Sequence, residues 1–108
     1  MGEKMDRAAI NFHEAAEVFC VETRAPAGYL LGQHAHDHDH LSFLASGTVD
    51  LKVNGETQRL TGPCMMTIKA GAAHEVFAVT PITWLCLWGS NFGMQEGALA
   101  SVKLLENA

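Results

Sequence analysis

Charge is scarce in this chain, and positive charge scarcer still. Charged residues make up 18% of its 108 residues, with 7 Lys+Arg against 12 Asp+Glu and a formal charge of −5. No Lys/Arg cluster occurs, which argues against nucleic acid or an anionic membrane surface as partner. Cysteine is also sparse. Cys20, Cys64 and Cys86 are odd in number, far apart and in no CxxC pair. That excludes a disulfide framework and suits three reduced, mostly buried thiols in a cytoplasmic protein. No apolar run approaches the ~20 residues of a membrane helix. The charged stretch from Met1 to Arg7 leads into no apolar segment, so no signal peptide is expected, and Asp6 stands where a myristoylation motif needs Ser or Thr. Internal repeats and low-complexity linkers are missing too.

Apolar residues are plentiful, at 48%. A chain of this length and composition builds one domain with a single modest core. Residues 4–16 are ambiguous: Met5, Ala8, Ala9 and Phe12 recur at helical spacing, but an extended arm fits equally. From residue 18 the pattern is β. Strands are expected over 18–24, 29–31, 40–45, 48–53, 56–60, 64–68, 74–80 and 82–88, the last two paired around Pro81. Residues 48–53 alternate, with Val49, Leu51 and Val53 on the core face. Asn54-Gly55 then signals a two-residue type I′ hairpin turn. Leu99, Val102 and Leu105 form an apolar stripe that predicts a short C-terminal helix. The expected organisation is an N-terminal arm (1–17), a β domain (18–90) and a helical C-terminal segment (91–108). Short strands at this spacing mean a sandwich or a barrel.

Four of the six histidines fall within seven residues, in His34-Ala35-His36-Asp37-His38-Asp39-His40, and His74 lies downstream. Imidazole is the commonest protein ligand for Zn, Cu, Fe and Ni, and alternate residues of a strand share a face. The plain alternative is a solvated histidine-rich loop that binds metal adventitiously. The spacing weighs against it. Gly28 is followed by five residues, His34, one residue, His36, three residues, His40, six residues and Gly47. This resembles the first motif of the cupin superfamily, with His40 at the family's Glu position. Gly62, six residues on, precedes Lys69-Ala70-Gly71-Ala72-Ala73-His74, which resembles the second motif. There Lys69 replaces a proline and Ala78 replaces an Asn.

The resemblance covers about residues 18–88. It implies a small jelly-roll β-barrel in which His34, His36, His40 and His74 hold one divalent transition metal, as in the four-histidine branch of small cupins. Fe(II) or Mn(II) is favoured, with Zn, Ni or Cu as alternatives. Four neutral imidazoles leave the full 2+ charge on the ion, which favours a small anionic ligand or substrate. The family pattern skips His38, which is expected to face solvent, as is His13. Ser42 is expected to share the interior with His40 as a structural hydroxyl. Glu75 should point away from His74, and Asp37 and Asp39 lie at the mouth of the site. Met65 and Met66 read as core residues. Residues 82–88 are apolar on both faces, so a second subunit or the C-terminal helix must cover one of them, and a homodimer is expected. The implied function is a dioxygenase-like oxidoreductase. A non-catalytic small-ligand or metal-binding cupin module, and a metal-dependent lyase or isomerase, are the rivals.

Overall fold

The computed structural model describes residues 7–34 and 39–89. These form nine strands and, among the described residues, no helix: β1 (Ala9–Ala15), β2 (Val18–Ala25), β3 (Leu30–His34), β4 (His40–Ser46), β5 (Thr48–Val53), β6 (Glu56–Thr61), β7 (Cys64–Ile68), β8 (His74–Ala78) and β9 (Ile82–Gly89). One sheet has the order β1-β2-β9-β4-β7 and the other β3-β8-β5-β6, with antiparallel pairing throughout. The all-β jelly-roll expectation holds. The expected C-terminal helix lies outside the described residues, and so does everything after Gly89.

The core lies between the sheets. Val49 and Leu51 of β5, Leu44 of β4, Ile68 of β7, Val76 and Ala78 of β8, and Ile82 and Trp84 of β9 are all buried there. Strand alternation produces this: β5 buries Val49 and Leu51 while the intervening Asp50 pairs outside with Arg59. Asn54 and Gly55 take positive φ values of 50° and 88°, the type I′ turn that the sequence signals.

Gly47 and Gly62 meet where the sheets close, the Gly62 amide donating to the Gly47 carbonyl at 2.8 Å. Gly47 has a φ of +93°, and a Cβ there would collide with the Pro81 carbonyl oxygen and lie 2.8 Å from Ile82 Cγ2. Only glycine suits the position.

Two expectations need correction. Strands β8 and β9 do not pair around Pro81. Instead β8 lies between β3 and β5, while β9 lies between β2 and β4 in the other sheet. The chain crosses between sheets at Val79-Thr80-Pro81, where the Val79 amide and the Thr80 hydroxyl bind the Thr48 backbone. Met65 is not a core residue: it is 58% exposed, whereas Met66 packs against the core. Successive residues of a strand face opposite sides, so only one of the two methionines can point inward. Residues 9–15, which the sequence leaves open between a helix and an extended arm, are a strand paired along its whole length with β2.

The outer face of the five-stranded sheet is apolar over β4 and β9, while β1 and β2 carry His13, Glu22 and Arg24 on it. Leu41 and Phe43 of β4 stand beside Leu87 and Leu85 of β9 and beside Thr67 and Met65 of β7. Val18, Leu41 and Met65 are 50%, 44% and 58% exposed. A hollow of ≈ 350 Å³ opens among Val18, Asp39, Leu41, Thr67 and Leu87, with His40 in its lining.

Candidate metal centre

His40 opens β4 and His74 opens β8, so the two come from opposite sheets. Both are buried, at 4% and 2% exposure, and their ring centroids stand 5.7 Å apart at an interplanar angle of 46°. A metal–imidazole bond of about 2.0–2.1 Å sets each ring centre roughly 3 Å from the ion, so two rings on one ion lie about 4.5–6 Å apart. The observed pair fits.

The tautomer of His74 is constrained. Its Nδ1 lies 3.3 Å from the Ala72 carbonyl oxygen, which can only accept. With Nδ1–H donating, Nε2 carries the lone pair, as a ligating histidine requires. The turn before it is closed by the Ala72 amide donating to the Lys69 carbonyl at 3.1 Å, with Gly71 at φ +78°. A positive φ at this third position is what a type II turn needs, and a Cβ on Gly71 would meet nothing within 4 Å. Conformation, and not space, therefore selects glycine there.

His34 ends β3, and its Cα is the register partner of His74. Its backbone is thus brought beside the His40–His74 pair. His36 and His38, with Asp37, lie outside the described residues. Among the described residues, no group of three His, Cys, Asp or Glu side chains gathers as a metal cluster.

Ser42 is fully buried, two residues beyond His40 on the same face, as expected. Its hydroxyl lies 3.8 Å from the Cys86 thiol on β9. Burial pushes that thiol up to about 11, with Ser42 pulling slightly the other way. At neutral pH Cys86 is protonated, a wall of the interior rather than a nucleophile. Glu75 alternates with His74 and is only half-buried, consistent with a position off the interior face. His13 is a surface residue on β1, 58% exposed, whose Nε2 lies 2.8 Å from Glu22. The side-chain bonds from His13 and then Arg24 hold the Glu22 carboxyl below its usual range.

One residue carries more than its sequence position suggested. The Asp39 carboxylate accepts the Ala70 amide at 2.8 Å and lies 3.7 Å from Lys69 Nζ. These contacts span 31 residues and join the two histidine-bearing segments. Opposite charges at Asp39 and Lys69 were the only sequence signal for them.

Comparison with known proteins agrees with this architecture. A structure of KdgF from Halomonas sp. is similar at 16% identity and a TM-score of 0.70, over 82% of this chain and 85% of that one. An RmlC-like cupin from Shewanella frigidimarina is similar at 18% identity and a TM-score of 0.69, over 83% and 87%. Salicylate 1,2-dioxygenase from Pseudoaminobacter salicylatoxidans, a variant in complex with gentisate, gives 15% identity and a TM-score of 0.71. That match spans 84% of this chain but 27% of the dioxygenase. At these identities the likeness is one of fold. No curated protein sequence matches. The Cupin domain family profile matches residues 20–88, and the chain belongs to that family.

Proposed function

We propose that the chain is a metal-dependent oxygenase acting on a small organic anion, with His34, His36, His40 and His74 holding one Fe(II) or Mn(II). The carrying observation is the pair of buried imidazoles, His40 and His74, delivered by opposite sheets to one point at 5.7 Å. Buried polar rings on rigid strands fill a core poorly but preorganise a binding site well. A bound redox-active ion would supply a Lewis-acidic, oxygen-activating centre with positions left for substrate.

The chain's own groups do the rest. The Ala72 carbonyl holds His74 in the tautomer whose Nε2 can ligate. Four neutral imidazoles leave the site's positive charge uncancelled, so an enolate, phenolate or carboxylate is the favoured guest. Ser42 and Cys86 close the interior behind His40 with groups that stay neutral at pH 7. A dioxygenase of the same fold bound to gentisate, a small aromatic acid, supports the reading by likeness of fold. The apolar outer face, with Leu41, Leu87 and Met65 in it, supports a homodimer. Solution mass by light scattering checks that point, with about 24 kDa expected and about 12 kDa contradicting it.

The test is metal analysis of untagged protein together with oxygen uptake on a panel of hydroxybenzoates and 2-oxo acids. About one iron or manganese per chain, with uptake on at least one anion, is expected. Zinc without uptake would favour the lyase or isomerase reading. No stoichiometric metal would leave a non-catalytic module.

A further inference from the structure

Asp39 immediately precedes His40, and the turn Lys69-Ala70-Gly71-Ala72 immediately precedes Ala73 and His74. A continuous set of contacts runs between them. Asp39 Oδ1 accepts the Ala70 amide at 2.8 Å, the Ala72 amide closes the turn on the Lys69 carbonyl at 3.1 Å, and the Ala72 carbonyl faces His74 Nδ1 at 3.3 Å. The direction of the His74 ring is therefore set by a carbonyl whose turn is tied to the residue beside His40. The backbone register adds only His40 with Ile68, just ahead of that turn. The stretch from Lys69 to Ala73 lies between strands: Asn54 holds its far end, donating its amide to the Ala73 carbonyl at 2.9 Å and accepting the Ala73 amide on Oδ1 at 3.2 Å, while Asp39 holds its near end at Ala70.

We propose that Asp39 is a positioning residue, which fixes His74 relative to His40 by clasping the 69–72 turn. This rests on the metal-site reading above. The amide hydrogen bond carries the effect. The Lys69 pair contributes little, because its side chains are 76% and 55% exposed and such pairs are weak in water. Asp39 thus does for this turn what a proline at 69 would do by restricting the backbone. The preceding Ile68 ends a strand, which is the extended conformation that a residue before proline requires.

The experiment is a Co(II) titration of the metal-free full chain against a competing chelator, read by affinity and by the visible absorption of the bound ion. Asp39→Ala is expected to weaken Co(II) binding about tenfold and to alter the spectrum, as losses around a ligand's support do. Asp39→Asn, whose amide oxygen still accepts from Ala70, is expected to stay within about threefold of the parent. Lys69→Pro placed on Asp39→Ala is expected to restore most of the affinity and the parent spectrum. Parent-like binding by Asp39→Ala, with loss in His74→Ala, would overturn the proposal and leave the metal site standing. Loss in both Asp39→Ala and Asp39→Asn as complete as in His40→Ala would make Asp39 a ligand and also overturn it. Equal Co(II) binding by the parent and His74→Ala would remove the metal site itself, and the clasp's purpose with it.

Discussion

At one end of the barrel interior, β4 and β8 contribute His40 and His74, 4% and 2% exposed. Four residues further along, the same two strands contribute Leu44 and Ala78, both fully buried. Depth is the same and chemistry is opposite. The apolar end closes with Leu44, Val49, Ile82 and Trp84 in contact, which is how a small core gains its stability. Two imidazoles at the same depth add polar desolvation and no comparable packing. The difference teaches that one end of the barrel carries the packing that stabilises the fold, while the other buries two imidazoles, the polar end on which the proposed metal site rests.

That division can be broken most forcibly at the apolar end. Trp84→Ala and Leu44→Ala are expected to cost about 3–5 and 2–5 kcal/mol of stability respectively, by loss of buried contacts and the cavity left behind. Urea unfolding of the metal-free chain measures it. At the polar end, His40→Leu in the same metal-free state is expected to stay within about 1 kcal/mol of the parent, since an apolar side chain replaces a polar one of similar bulk. A loss as large as that at Leu44 would make the histidine structural and end the comparison.

The smallest effect lies midway between the ends. With its thiol pushed up to about 11 by burial, Cys86 is held as the unreactive thiol at pH 8. Brief iodoacetamide treatment of the native protein is therefore expected to leave Cys86 unlabelled, and unfolding to expose it. Intact mass and peptide mapping read the result. Ready native labelling of Cys86 would mean that the barrel interior is open to solvent at its midpoint.

Much of this was legible from the residues. Alternation at Val49, Leu51 and Val53 gave the core face of β5, and Asn54-Gly55 marked its turn, because both signals are local. The glycines at 47, 62 and 71 fall at motif spacing, and the structure finds close approach at 47 and 62 and a tight turn at 71. What stayed hidden is non-local or lacks pattern. Strand β1 is nearly all exposed, so it has no alternation to read, and its hairpin to β2 turns at Ala16 with φ 55° in place of the usual Asn or Gly. The assignment of β8 and β9 to different sheets depends on the crossing at Thr48 and Thr80, 32 residues apart in sequence. The sequence could place Asp39 at the mouth of the site but not on its partner, because the Ala70 amide has no sequence signature.

The central claim is that the polar end holds a metal through the histidines of the cupin pattern, with His40 chosen over its near neighbour His38. Metal content per chain, by elemental analysis after dialysis against a weak chelator, tests this directly. His34→Ala, His36→Ala, His40→Ala and His74→Ala are each expected to deplete the metal strongly, a loss of several kcal/mol of binding, whereas His38→Ala should cost under ~1 kcal/mol and keep occupancy near the parent's. Equal losses from His38→Ala and His40→Ala, or full occupancy in His74→Ala, would contradict the account and reduce the tract to a histidine-rich loop.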